Sequence, residues 1–248
     1  MSWLTNLWNK LMKRKPKPPI IIPPPPSSIT FNDDFNTGAL NPANWIVSTW
    51  SAPQGGVFRA NMIDLSQGML CLKMSQIKNP DGSILSVGSE VQYAKICGYG
   101  TYEWTVKASS TAQTPYSTGS AASGSVTGLF NFVTNSATEL DLEIEGSRPD
   151  ILSLTTWHGT GSNQNTFYNY NALLNSAFHV YKYIWSPGKV EYYLDGLLVG
   201  THTTDVPTAP AYPMMNHWGT NNANFGGVAT PGIDRYMWVS NFKFTAAP

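Results

Sequence analysis

The sequence predicts an all-β body that begins near residue 29 and folds as a sandwich or jelly roll. From that point apolar and polar residues alternate in short runs, turn-forming residues separate the runs, and few stretches have helical spacing. Charged and aromatic residues each make up 12% of the 248 residues, whereas disordered chains are rich in charge and poor in aromatics. A body of about 220 residues is long enough to bury one large core.

Two segments of different composition precede this body. Residues 1–15 carry Trp3, Leu7 and Trp8 on one stripe at helical spacing, together with a basic cluster, which predicts an amphipathic basic helix. Residues 16–28 are rich in proline and predict a semi-rigid polyproline II linker. The helix suits tethering to an anionic membrane or to a larger assembly, and a frayed tail is the alternative. Its charges follow the apolar residues, which is unlike a secretory signal.

The net charge of zero is the sum of two opposite parts. Residues 1–32 contain five basic and no acidic residues, while the remainder has 10 basic and 15 acidic residues, a net charge of −5. An acidic body argues against a nucleic-acid partner, and no apolar run reaches the roughly 18 residues of a transmembrane helix. Cys71 and Cys97 are too few for a disulfide scaffold or a Cys-rich zinc site, and they form one disulfide or stay as two thiols. The location stays open, with extracellular, surface-associated and virion-associated sites as the alternatives.

Nine segments of the body have the alternation of β-strands, and Asp195-Gly196 predicts a hairpin turn between two of them. Residues 108–127, rich in Ser, Thr, Ala and Gly, break this rhythm and predict a long loop. The predicted strands are 69–74, 90–96, 100–107, 128–133, 139–145, 179–185, 189–194, 197–199 and 236–244. Aromatic residues at regular strand positions are predicted to lie in the core: Tyr102, Trp104, Trp185 and Trp238.

The strand 139–145 is unusually acidic. Glu139, Asp141, Glu143 and Glu145 alternate with apolar residues and therefore point to one face. Unpaired charges are too costly to bury in apolar packing, so this face is predicted to floor a wet cleft. Neighbouring carboxylates raise one another's pKa, which allows the pairing of an acid and a nucleophile that glycoside hydrolysis requires. A calcium site and a solvated strand face are the alternatives.

Residues 139–143, Glu-Leu-Asp-Leu-Glu, resemble the E-[IL]-D-[ILF]-E signature of glycoside hydrolase family 16, in the lichenase-like form without a bulge residue. Further stretches resemble the same family on both sides of this signature, so that the resemblance covers about residues 29–245. Those stretches are residues 89–93, 98–103, 178–181, 185–188, 193–196, 214–218 and 236–239.

The resemblance implies a concanavalin A-like jelly roll of two antiparallel sheets with a concave substrate cleft. It implies a monomeric, retaining endo-β-glycanase without a cofactor that acts on a polysaccharide, with β-1,3-1,4- or β-1,3-glucan as the first expectation. Glu139 would be the nucleophile, Glu143 the acid/base, and Asp141 the residue that orients and tunes them. The implied substrate-binding residues are Trp218, Asn216, Glu90, Gln92, Phe130, Trp157 and His158.

Several positions depart from the family pattern. Ala137 stands where lichenases carry Trp, and Gln92 stands where the family has Arg. Met237 replaces the Asp that binds a structural calcium in many members, so no metal is expected. Neither Cys71 nor Cys97 matches the family's disulfide. These changes leave the three carboxylates intact but leave the sugar and linkage open. A carbohydrate-binding protein, a transglycosylase and a tethered phage or surface depolymerase are the alternatives on this fold.

Overall fold

The computed structural model describes residues 30–159 and 161–248, so the predicted helix 1–15 and linker 16–28 lie outside the described residues. The first eight strands are β1 (Thr30–Asp33), β2 (Trp45–Val47), β3 (Val57–Phe58), β4 (Ile63–Asp64), β5 (Leu70–Lys78), β6 (Ile84–Tyr93), β7 (Gly100–Ser110) and β8 (Ser125–Val133). The next eight are β9 (Thr138–Glu145), β10 (Arg148–Trp157), β11 (Asn163–Asn169), β12 (His179–Ser186), β13 (Lys189–Leu194), β14 (Leu197–His202), β15 (Tyr212–Gly219) and β16 (Arg235–Ala246). Short 3-10 turns lie at Pro53–Gly55, Ala60–Met62 and Thr134–Ser136.

The strands form two antiparallel layers that face each other across one core, as the predicted jelly-roll sandwich requires. The first layer has the strand order β11-β10-β9-β8-β15-β6, and the second has the order β5-β16-β7-β12-β13-β14. The two layers are continuous where β5 pairs with β6. The all-β class and the sandwich architecture are therefore confirmed. Within the described ranges, no helix has the length and apolarity needed to cross a bilayer.

The core sits between the layers because each strand alternates its side chains. Leu140, Leu142 and Ile144 of β9 are buried together with aromatic side chains of the second layer. Tyr183 donates a hydrogen bond of 2.6 Å to Asn131 Oδ1 across the core, so the two layers are also joined by polar contacts. The four aromatic residues predicted to be core are confirmed, with exposed fractions of at most 2%: Tyr102, Trp104, Trp185 and Trp238.

All nine predicted strands exist, although some of their ends move. The predicted strand 90–96 overlaps the end of β6, which begins earlier, at Ile84, and ends at Tyr93. The predicted loop 108–127 shrinks to residues 111–124, because β7 continues to Ser110 and β8 begins at Ser125. The buried Lys107 holds this loop through a hydrogen bond of 2.6 Å from Nζ to the carbonyl of Ser117.

Three strands of the first layer, β10, β11 and β15, are absent from the sequence prediction, as are the short strands β1 to β4. Ser153 and Thr155 of β10 face the cleft and are buried by neighbouring strands, so the polarity of the strand's residues does not indicate that it is buried.

The structure also answers whether the two cysteines form a disulfide. Cys71 and Cys97 are both buried free thiols, and burial raises the pKa of each to about 12.

Candidate active site

A cavity of about 540 Å³ opens on the face of the first layer that points away from the core. Four neighbouring strands, β9, β8, β15 and β6, contribute side chains to its floor. Cross-strand register aligns these side chains in rows, because residues directly opposite each other in antiparallel strands share a face. One such row runs from Glu143 through Gly128 and Asn216 to Glu90. The cavity is therefore a cleft that crosses the strands.

Three carboxylates of β9 line this cavity: Glu139, Asp141 and Glu143. They reach it because β9 alternates, with the intervening Leu140 and Leu142 fully buried on the core side. Asp141, between the two glutamates, is only 5% exposed. The predicted concentration of negative charge on one strand face is thus present, and the first three residues of the acidic series form one site.

The surroundings of Glu139 and Glu143 affect their pKa values differently. Burial, followed by the charges of Glu139 and Glu145, raises the pKa of Glu143 to about 8. Burial also raises the pKa of Glu139, but a hydrogen bond from the Ser136 side chain acts in the opposite direction. A carboxyl with a raised pKa stays protonated at neutral pH, and a hydrogen bond to the ionised form favours ionisation. Glu143 is therefore suited to donate a proton, and Glu139 to attack as a carboxylate.

The pKa of Asp141 is affected by burial and by the charges of both neighbouring glutamates, Glu139 and Glu143. Burial, and then the charges of Glu139 and Glu143, raise its pKa well above the usual range, while a hydrogen bond with Trp157 lowers it. Like charges side by side on a buried strand are costly, so the three groups titrate together and do not all carry a charge at neutral pH. The indole of Trp157 supports the position of Asp141, and Trp157 lies opposite Glu139 on β10.

Glu145 does not share this environment, which corrects the prediction that all four carboxylates floor the cleft. Its side chain is 2% exposed, and it accepts a hydrogen bond of 2.5 Å from the backbone N–H of Gly226. Its other oxygen forms an ion pair with Arg148. A buried carboxylate is tolerated when it is paired and hydrogen-bonded. Glu145 therefore joins β9 to the segment that contains Gly226 and to the start of β10.

The opposite half of the cleft contains a second polar group. The Glu90 carboxylate accepts hydrogen bonds of 2.7 Å from Ser48 and 3.1 Å from Asn216 Nδ2. Burial is the main cause that raises the pKa of Glu90, and the hydrogen bonds from Ser48 and Asn216 oppose it. Asn216 Oδ1 is buried and has no hydrogen-bond partner among the described residues. The Asn216 side chain lines the cleft with its Nδ2 committed to Glu90.

Gly128 makes this arrangement possible. A Cβ atom at position 128 would lie 2.3 Å from Asn216 Oδ1, a distance that real Cβ atoms do not tolerate. Glycine at this position leaves room on β8 for the amide of Asn216, which lies between Gly128 and Glu90 and bonds Glu90.

Aromatic side chains form the rest of the cleft wall. Trp218 stacks on Phe225 with ring centroids 5.9 Å apart and an interplanar angle of 29°. Trp50 is 48% exposed at the mouth of the cavity, and Phe130 and Phe132 line its floor. Aromatic faces bind the C–H faces of sugar rings, so this wall fits a carbohydrate.

Five of the seven predicted substrate-binding residues line the cavity, and two do not. The five are Trp218, Asn216, Glu90, Gln92 and Phe130. Trp157 is outside the lining and bonds Asp141 instead, as described above. His158 is exposed on the loop after β10, where its backbone N–H bonds the carbonyl of Ser162 at 3.3 Å.

Several lining residues were missed by the sequence prediction, because they lie in irregular segments or are not polar. Trp50 and Ser51 belong to the segment between β2 and β3, where no periodic pattern marks a face. Met214 belongs to β15, which was not predicted, whereas Gly128 and Phe132 lie two residues on either side of Phe130 on the predicted strand 128–133. Strand alternation counted back from Glu139 through the β8 hairpin would have found Phe132.

Position 237, where many members of the family that the sequence resembles bind calcium through Asp, is apolar in this chain. Met237 is fully buried on β16, opposite Leu72 of β5, and its side chain does not fit calcium, which requires oxygen ligands. Among the residues that the structure describes, no group of three His, Cys, Asp or Glu side chains is arranged to hold a metal ion.

The sequence matches one protein-family model and is similar to characterised proteins. Residues 51–231 match the family model described as Glycosyl hydrolases family 16. A beta-glucanase of Paenibacillus polymyxa is 27% identical over 217 residues, which are 80% of this chain and 83% of that protein.

The fold is similar to two solved structures. A beta-1,3-1,4-glucanase (lichenase) from a mouse hindgut metagenome has a TM-score of 0.76 at 20% identity, covering 88% of this chain and 99% of that one. The laminarinase catalytic domain of Thermotoga maritima MSB8 has a TM-score of 0.72 at 14% identity, covering 90% and 99%.

Proposed function

The chain belongs to family 16 of the glycosyl hydrolases, and from that premise we propose that it cleaves internal β-glucosidic bonds of a polysaccharide with retention of configuration. It is a glycoside hydrolase of the endo-β-glucanase type. The observation that carries the proposal is the row of three carboxyls of β9 that line the cleft, in which burial raises the pKa of Glu143 to about 8 while a hydrogen bond from Ser136 opposes the rise at Glu139. An acid and a nucleophile side by side are what a double displacement needs.

In the first step, Glu139 attacks the anomeric carbon while Glu143 transfers its proton to the leaving oxygen. The glycosidic C–O bond breaks, and a covalent bond forms between the sugar and Glu139. Esterification removes the charge of Glu139, which is one of the causes that raise the pKa of Glu143. The pKa of Glu143 then falls, and it becomes a better base at the moment when a base is needed.

In the second step, the Glu143 carboxylate takes a proton from a water molecule, and this water attacks the same carbon. The bond to Glu139 breaks, its carboxylate is regenerated, and Glu143 is protonated again. Two inversions at one carbon give net retention. Asp141 orients the pair, since it lies between them and is itself held by Trp157.

The first expectation for the substrate is β-1,3-1,4- or β-1,3-glucan. The beta-glucanase of Paenibacillus polymyxa and the lichenase and laminarinase folds support this choice. The cleft supports a neutral chain, because its walls are aromatic rings and uncharged amides around the buried acids. Ala137, which is exposed directly before the catalytic strand, is a small side chain where lichenases carry Trp. The linkage that this protein prefers can therefore differ from that of lichenases.

A panel of polysaccharides tests the proposal. We expect new reducing ends on a soluble β-glucan, a fast drop in viscosity from internal cleavage, and β-anomers as the first products in a proton NMR time course. Initial α-anomers would contradict retention. Glycan binding without any new reducing end would support a carbohydrate-binding protein instead. Longer products at high acceptor concentration would identify a transglycosylase.

A further inference from the structure

The cleft face of the first layer continues past the catalytic strand onto β10 and β11. Glu143 lies opposite Ser153 of β10, and Ser153 lies opposite Phe167 of β11. In the same way, the row of Asp141 ends at Asn165. Strands are about 4.8 Å apart, so this face extends about 10 Å beyond the catalytic carboxyls. The three carboxyls thus lie inside a longer surface rather than at its edge.

The side chains on this extension are of the kinds that bind sugars. Phe167 is 56% exposed, and Asn163 and Asn165 beside it are exposed as well. The ring offers an apolar face for the C–H groups of a sugar, and the amides offer donors and acceptors for hydroxyls. The opposite face of β11 is used for the core, against which Tyr168 packs. The exposure of Phe167 therefore results from the strand register.

Arg148 holds the Phe167 ring in place. Its guanidinium lies 5.0 Å from the ring centroid, and it also forms the ion pair with Glu145 of the catalytic strand. A single exposed aromatic residue is ordinary on a protein surface. An exposed ring fixed by a cation that is itself bonded to the catalytic strand is preorganised for binding.

The two halves of the cleft differ in how far they enclose a ligand. The half lined by Glu90, Asn216 and Trp218 is a concave cavity in which each of these side chains is at most 6% exposed. The half on β11 is open. During double displacement, the covalently bound sugar stays while the leaving group departs and water enters, so the open half suits the leaving group.

We propose that Phe167, Asn165 and Asn163 bind the glucosyl units on the leaving-group side of the scissile bond, an inference that rests on the proposed function. The ligand is the neutral glucan segment that departs after the first step, or an acceptor glucan that re-enters. Phe167 supplies the stacking surface, and Arg148 positions its ring.

The test compares two substrates in Phe167→Ala and in Phe167→Tyr, which keeps the ring. Leu197→Ala is the matched control, because Leu197 is 59% exposed on β14 of the other layer. On soluble β-1,3-1,4-glucan we expect kcat/KM of Phe167→Ala to fall roughly three- to tenfold, the value of one aromatic contact. On an aryl β-glucan trisaccharide, whose leaving group is a small phenol, we expect no change. Leu197→Ala should match the unaltered protein on both, and Phe167→Tyr should retain more activity on the polysaccharide than Phe167→Ala.

Equal losses on both substrates, or no loss on the polysaccharide, would overturn the inference while leaving hydrolysis established. If the unaltered chain cleaves neither substrate, the proposed function fails. A binding measurement then decides the inference separately. In ¹⁵N-labelled Glu139→Gln protein titrated with a β-1,3-1,4-glucan hexasaccharide, the amides of β11 should shift. Unchanged β11 signals, with shifts confined to β6 and β15, would contradict it.

Discussion

The pair Glu145 and Arg148 provides a test of the electrostatics that we assign to the acid/base residue. Glu145 is two residues from Glu143 on the same strand face, and its charge contributes to the raised pKa of Glu143. Glu145→Gln removes this charge while keeping an oxygen that can accept the hydrogen bond from Gly226. Arg148→Met removes the compensating cation while keeping a side chain that can cover Phe167. The two variants change the charge near Glu143 in opposite directions.

The size of the effect follows from the spacing. Two residues along a strand separate Glu143 and Glu145 by about 7 Å. At an effective dielectric constant of about 20, two unit charges at that distance interact by about 2.4 kcal/mol, or about 1.7 pH units. Arg148 is the same in the unaltered protein and in Glu145→Gln, so we expect the full change of about 1.7 pH units in that variant. The other ionisable groups of this face, Glu139, Asp141 and Glu90, are the same in both variants.

The assay is kcat/KM on a soluble β-glucan as a function of pH. The acid must be protonated in the free enzyme, so activity is lost as pH rises through the pKa of Glu143, about 8. Glu145→Gln lowers that pKa, and the alkaline limb should move down by about 1.7 pH units. Arg148→Met raises it, and the limb should move up. Shifts in the same direction, or limbs that coincide with that of the unaltered protein, would show that Glu145 acts only as a structural link.

Three further outcomes are expected. Glu139→Gln should lose several orders of magnitude in kcat while oligosaccharide binding by calorimetry persists, and turnover at the unaltered rate would exclude Glu139 as nucleophile. Gly128→Ala should raise KM and lower the free energy of unfolding by about 1–3 kcal/mol, because its Cβ would displace Asn216 from Glu90. Gly98→Ala, whose Cβ would meet only Pro210 at 3.8 Å, is the control, and equal effects would contradict this reasoning. Deleting residues 1–28 should leave kcat on a soluble glucan unchanged, and a large loss would place that segment in the active domain.

The catalytic strand is the part of the site that sequence reasoning predicted best. Its face is encoded locally, because alternation along residues 139–145 places carboxyls and apolar side chains on opposite sides of any extended chain. The core position of Trp104 follows from the same periodicity, whereas Trp238 alternates with the core residues Met237 and Val239 and is buried by the loop that contains Ala112. The family resemblance adds the roles of the carboxyls, since periodicity by itself left calcium binding and a solvated face open.

Other features depend on contacts that no local pattern records. Glu145 has the same alternation as Glu143, yet it is removed from the cleft by Gly226, 81 residues away in the chain. Asn216 reaches Glu90 across 126 residues, and Gly128 of a third strand leaves space for its amide. Such groupings are properties of strand order.

Local alternation was thus sufficient for the all-β class, the core side of most strands and the identity of the acidic strand. The pairing of strands determined which acids share one low-dielectric environment and which acid is neutralised by Arg148. It also determined that the polar strand β10 and the amide-rich strand β11 extend the cleft face. The reason is physical: a side chain's face is set by its own backbone, whereas its burial, and with it its pKa, is set by the strands that pack beside it.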